Sequence, residues 1–186
     1  AYLARQMADA GLKPGNNGSW YQDVPIVEMS ANPDMTLAIA GGKAPLNLAY
    51  KTDFVIGTYR QAEKIEVKDS DVVFAGYGIN APENGWNDYA GLDVKGKTVI
   101  ILVNDPDYAM KGLDGHFGGR AMTYYGRWTY KYEEAARQGA AAALIVHDTF
   151  PAAYPFGVVV SSWTGPQVHI DTANKGMDQT LGNGWV

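Results

Sequence analysis

Between residues 20 and 70 apolar and polar positions alternate in short bursts. Leu37 and Ile39 flank Ala38, Leu46 and Leu48 flank Asn47, and Ile65 and Val67 flank Glu66. Side chains that repeat every second residue share one face of a strand, so this period predicts half-buried sheet within 20–29, 35–42, 46–56 and 62–70. From residue 71 the texture changes. "DVVFAGYGI" (71–79) and "KTVIILVND" (97–105) are nearly unbroken apolar runs, the pattern of strands covered on both faces. Between them, "APENGWNDYAGLD" is rich in turn formers.

Two segments carry the helical period instead. Residues 1–10 place Leu3, Met7 and Ala8 or Ala10 on one side, with Gly11 as a C-cap and Pro14 preventing resumption. No capping residue precedes Ala1, so the chain reads as a piece of a longer protein that starts inside a helix. Residues 127–138 place Trp128, Tyr132, Ala135 and Gly139 at i, i+4, i+7 and i+11. Arg127, Lys131, Glu134, Arg137 and Gln138 take the opposite, solvated side, with Glu133 and Arg137 as a supporting i,i+4 pair. Gly139 ends this helix and "AAALIV" begins a strand at once, so 98–103, the helix and 141–146 predict a β-α-β crossover between parallel strands. "YPFGVVVSSW" (154–163) and "PQVHI" (166–170) predict further strands. No repeat of 20 to 50 residues recurs.

Composition narrows the field. The chain has 186 residues, 46% of them apolar and 19% charged, which suits one globular core. A net charge of −5 with dispersed basic residues argues against a nucleic-acid face. With no cysteine, a disulfide framework, a thiol nucleophile and a cysteine metal knuckle are all ruled out. No apolar run approaches the roughly 18 residues of a membrane span.

Candidate chemistry is sparse. "GYGINA" (76–81) follows an apolar strand and matches a loose dinucleotide fingerprint. The helix whose N-terminus would take a pyrophosphate cannot follow it, because Pro82, Asn84 and Gly85 come next. "HID" (169–171) is a pair able to ligate zinc, but a catalytic zinc needs three protein ligands and a carboxylate base. His116 and His147 have only Asp114 and Asp148 near them in sequence. Ser161 and Ser162 lack a nucleophile elbow, and Glu133 with Glu134 reads as a solvated helix face. Asn17-Gly18-Ser19 is formally a glycosylation sequon.

The aromatic residues are the conspicuous feature. Tyr124, Tyr125, Trp128, Tyr130 and Tyr132 fall within nine positions. Trp128 and Tyr132 belong to the buried stripe, whereas Tyr124, Tyr125 and Tyr130 are expected in the loop that leads into the helix. That loop holds Gly112, Gly115, Gly118, Gly119 and Gly126 and is long enough to project from the sheet.

These residues carry a resemblance. "DVVFAGYGI…WNDYAGLDVKGKTVIILVNDPDY" followed by "FGGRAMTYYGRWTYKYEEAARQGAAAALIVHDTFPAAYPFGVVVSSWTGPQ" closely resembles the protease-associated (PA) domain inserted in bacterial zinc-dependent exopeptidases. That aminopeptidase family also contains glutamate carboxypeptidase II and the transferrin receptor. The likeness is strong over about residues 70–167, and "GRAMTYYGRWTYKYEEAARQGAAAALIVH" is its most specific part, since the D-x-K-G-K strand recurs in PA domains of many parents. It implies an α+β, swivelling β/β/α fold, with a barrel-like sheet, a β-α-β unit and flanking helices. Residues 1–30 would be the N-terminal helix and strand flanking the insert, 31–170 the PA domain, and 171–186 a linker toward a peptidase domain outside the chain. The resemblance further implies no catalytic residue, no metal ligand and no cofactor in this fragment, with zinc held in the parent peptidase domain. That domain would be the partner in cis, with peptide substrate as a second candidate, and the parent would be exported to the periplasm or beyond. Phe117, Tyr124 and Tyr125 are then candidates for a surface at the substrate entrance or against the peptidase domain. The alternatives are a PA-type binding module of another parent, such as a subtilisin-like protease or a sorting receptor, and a self-contained hydrolase using the histidines.

Overall fold

A computed structural model describes residues 1–186. The chain opens with α1 (Tyr2–Asp9), followed by β1 (Ile26–Met29), the hairpin of β2 (Thr36–Ile39) with β3 (Leu46–Ala49), and β4 (Val55–Gly57). Next come β5 (Val72–Phe74), the short hairpin of β6 (Asn80–Ala81) with β7 (Trp86–Asn87), and β8 (Thr98–Leu102). A long loop then leads to α2 (Trp128–Arg137), β9 (Ala142–Val146), α3 (Thr149–Ala152), α4 (Phe156–Trp163), β10 (Gln167–Ile170) and β11 (Gly182–Trp185). The architecture is α+β, and no helix is long and apolar enough to cross a membrane.

The centre is one sheet in the order β4-β11-β9-β8-β5. β11, β9, β8 and β5 run parallel, and β4 is antiparallel to β11. β8, α2 and β9 form the expected β-α-β unit, with Val99 opposite Ala143 and Ile101 opposite Ile145. These residues join Tyr132, Ala135 and Trp185 in the main core. Ala135 and Ala143, both fully covered, let α2 sit close on the sheet, and the Tyr132 hydroxyl donates to the Gly184 carbonyl at 2.9 Å. Gly139 ends α2 in the left-handed region, at φ 78°.

Six expectations, four from the pattern and two from the resemblance, need correction. The sheet is open, not barrel-like: it stops at β4 and β5. β5 is an edge strand with Phe74 58% exposed, so its apolar run is not covered on both faces. Residues 62–70 form no strand; Glu66 instead pairs with Lys64 and Lys68 at 3.6 and 3.1 Å in solvent. Residues 156–163 are helical, and Phe156, Val159, Val160 and Trp163, at i, i+3, i+4 and i+7, pack on the core. That stripe overrides the strand preference of the valine run. Lys131, Glu134 and Tyr130 are buried members of α2, neither solvated nor in the preceding loop. Finally, residues 171–186 are not all linker, since β11 is a fully buried strand between β9 and β4.

β11 explains its own illegibility. A Cβ on Gly184 would lie 2.6 Å from the Val55 carbonyl oxygen, so the strand fits only as glycine there. The β1–β10 ribbon, with Ile26 opposite Ile170, likewise joins residues on both sides of the expected boundary at 30/31.

Candidate functional site

The loop after β8 is held inward by its own chemistry. Asp107 Oδ2 accepts from the Phe117 amide at 3.0 Å and the Gly119 amide at 3.4 Å. Gly115 lies against the same carboxylate at φ 130°, a conformation and a proximity that exclude a side chain. Phe117 is thereby drawn under the loop and is 1% exposed. Its ring meets Trp86 and Tyr125 edge-on, both at 5.6 Å between centroids. Tyr125 meets Tyr130 at 4.9 Å, and Tyr124 meets Tyr130 at 5.7 Å.

Thus Phe117, Tyr124 and Tyr125 do belong to one aromatic stack, but they do not form one surface. Phe117 is core, and so presents no face to a partner. Tyr125 is half-buried, with its hydroxyl donating to Glu83, an interaction that pushes the phenol up to about 12. Tyr124 is 55% exposed, and its hydroxyl donates to the Glu133 carboxylate at 2.9 Å. That hydrogen bond raises the Tyr124 phenol above its ordinary value.

Behind the stack lies a buried polar network that the helical pattern concealed. Lys131 is 0% exposed, and its Nζ donates to the Tyr77 carbonyl at 2.6 Å and the Tyr125 carbonyl at 3.2 Å. Burial lowers this ammonium to about 7, opposed by the charges of Asp105 and Asp88. Asp105 is fully buried with neither carboxylate oxygen hydrogen-bonded. Burial, with Asp107 beside it, pushes its carboxyl up to about 7. Glu134 is satisfied, accepting from Arg137 Nε and Gln138 Nε2 at 2.7 Å each. Tyr130 Oη donates to the Asn80 carbonyl and accepts from its amide, both at 3.1 Å.

Asp88 accounts for the false dinucleotide fingerprint. Its Oδ2 accepts from the Tyr77 and Ile79 amides at 3.1 and 3.0 Å. A Cβ on Gly76 would lie 2.9 Å from Asp88 Oδ1. The glycines of "GYG" let backbone wrap a carboxylate from the same chain, so the amides a phosphate would need are already engaged.

The histidines are dispersed. His169 packs edge-on against Tyr59 at 5.3 Å, and Asp171 is paired with Lys175. His147 Nε2 lies 3.0 Å from the Tyr154 carbonyl, and His116 lies beside Trp86. No three His, Cys, Asp or Glu side chains come together as a group that could hold a metal ion. Ser161 and Ser162 donate within α4 to the Val158 carbonyl, at 3.0 and 2.8 Å.

Sequence reasoning missed a crevice at the carboxyl ends of β8, β9 and β11. Its volume is about 570 Å³, and its walls include Asn104, Tyr108, Arg120, Arg127, Phe150 and Trp185. The available signal was topological: parallel strands linked by a crossover helix leave such a crevice where their following loops diverge. A second, more polar recess of about 490 Å³ includes Tyr59, Glu133, His169 and Asp178.

Comparison of the chain with known protein families, with curated proteins and with solved structures found no match.

Proposed function

We propose that this chain is a non-catalytic PA domain fragment of a zinc-dependent aminopeptidase-type exopeptidase, shaping substrate access or making domain contacts. On this reading zinc and the catalytic groups belong to a peptidase domain outside the chain, and no step is carried by the residues described here. The observation that supports it is the exposed apolar side chains on the N-terminal helix and on the β1–β10 ribbon. Leu3 and Met7 on α1, Ile26 on β1, and Val168 and Ile170 on β10 are all exposed, and α1 buries none of its residues. These segments include the helix and strand that the sequence resemblance assigns to the flank of the insert. Large apolar side chains left in water at an expected junction suit a covering domain in cis. Tyr124, with the edge of Tyr125, is the remaining aromatic surface for the substrate entrance, and Phe117 supports it from beneath.

The test is made on the longer polypeptide. Hydrogen exchange should show residues 2–9, 26–29 and 167–170 markedly more protected there than in this chain alone. The longer protein should bind zinc and cleave peptides, and replacing Tyr124 and Tyr125 by alanine should change its discrimination between short and long peptides at constant metal content. Stoichiometric zinc on this chain alone, lost on His169→Ala, would overturn the reading.

A further inference from the structure

We infer that the crevice at the carboxyl ends of β8, β9 and β11 binds a small organic carboxylate bearing an apolar or aromatic body. The crevice lies wholly within this chain, so its occupancy does not depend on the exopeptidase reading. Its position comes first. The loops following β8 and β9, together with Trp185 at the end of β11, enclose it, and open parallel sheets bind ligands outside their strands' carboxyl ends. The volume of about 570 Å³ falls within the roughly 300–1,000 Å³ of small-molecule sites.

The free polar groups around it donate. Arg60 and Arg137 are engaged by the Gln179 carbonyl and Glu134, whereas Arg120 and Arg127 pair with no carboxylate and both line the crevice. α2, ten residues long, begins at the same wall, with Arg127 as its N-cap and Trp128 as its first residue. No side chain caps that end, and no acidic residue lies in its first turn, so its amides and its dipole favour an anion. Two arginines and an uncapped helix end together describe a donor-rich site.

The rest of the wall is apolar. Tyr108 and Phe150 meet edge-on at 5.9 Å, and Val103, Trp128 and Pro151 continue the surface. Rings of this kind add nothing for a bare inorganic anion and much for a carboxylate carried on an apolar body. Asn104 does not compete, because its Nδ2 donates to the Pro151 carbonyl at 2.8 Å and its Oδ1 accepts from the Asp105 amide at 2.9 Å. Asp105, whose carboxylate would lie 3.0 Å from a Cβ on Gly126, does not itself line the crevice. Gly126 is required there, since a Cβ would come 2.8 Å from Asn104 Oδ1 and from Met122 Cγ.

The experiment is a calorimetric titration of this chain with N-acetylphenylalanine, N-acetylphenylalanine amide and inorganic phosphate, with tryptophan fluorescence recorded in parallel. The acid should bind, and the amide should bind at least about tenfold more weakly, as expected when one charge-assisted contact is lost. Arg120→Gln and Arg127→Gln should each weaken the acid about tenfold and leave the amide unchanged. Both side chains are exposed and unpaired, so unaltered melting of these variants serves as the folding control. Equal affinity for acid and amide, acid binding that survives both arginine replacements, or no response to the acid in the millimolar range would each overturn the inference. Phosphate that binds as tightly as the acid and displaces it would overturn the assigned ligand class.

Discussion

Residues 1–53 and residues 54–186 show comparable apolar patterning and put it to different use. All 37 buried residues lie at or beyond Phe54, and none precedes it. In the later region, apolar positions on β8, α2, β9 and α4 meet across one core. In the earlier region, Leu3, Met7, Ile26 and Leu46 repeat with helix or strand period and remain in solvent. Local pattern reports that a face requires cover; it does not say which element supplies the cover. The difference therefore locates the stability of this chain in the later region.

The sharpest way to break that comparison is Tyr132→Ala. Tyr132 is buried, bonds the Gly184 carbonyl at 2.9 Å, and packs against Trp128 and Trp163 at 6.1 and 5.6 Å. Its removal should cost about 4–5 kcal/mol in chemical denaturation, the upper range for emptying an aromatic site. A loss below about 1 kcal/mol would show that the core is not where the sheet and α2 meet.

That same helix shows how far sequence reading reached. Its existence, its limits near 127–138 and its sheet-facing residues Tyr132 and Ala135 follow from a 3.6-residue period. Its second buried face did not, because Lys131 and Glu134 are charged and carry the signature of a solvated side. They are covered because residues 77–80 return against the helix, with Lys131 donating to the Tyr77 carbonyl and Asn80 reaching Glu134, a tertiary event without a local signal. β11 was illegible for the opposite reason: Gly182, Asn183 and Gly184 offer no apolar period, and their burial rests on close backbone approach. α4 was legible but misread, since its valines favour strands while their spacing with Phe156 and Trp163 is helical. The stack around Phe117 was visible as a concentration of rings; which of them reached solvent depended on Asp107 gathering the loop amides.

Phe117→Ala sharpens the comparison within the later region. Its cluster has four buried members, and the surrounding loop can settle into the gap, so the expected loss is about 3 kcal/mol. Tyr124→Ala, at an exposed position, should cost under about 1 kcal/mol. Equal losses in urea titration would contradict the division between core ring and surface ring.

Lys131→Met tests the concealed face through pH. The folded state lowers Lys131 from 10.5 to about 7, so between those values the unfolded chain holds a proton that the folded chain has released. Stability from this group is therefore present at high pH and is lost as pH falls toward about 7. Across that window wild type should gain up to about 1.4 kcal/mol per pH unit relative to Lys131→Met. Parallel stability curves for the two proteins would place Lys131 in water.

The smallest expected effect returns to the first 53 residues. Leu3 and Met7 are 68% and 44% exposed, and α1 has no buried residue. Replacing both by serine removes apolar surface that the folded chain does not cover, so the transfer term that makes core substitutions costly is nearly absent. What remains is the weaker helix preference of serine, a few tenths of a kcal/mol at each position. Global stability of this chain should therefore change by less than about 0.5 kcal/mol in urea. In the longer polypeptide proposed above the same pair should cost several-fold more, because there the two side chains would be covered. A loss of more than about 2 kcal/mol in the isolated chain would mean that α1 packs against its own chain in solution, and the contrast between the two regions would fail.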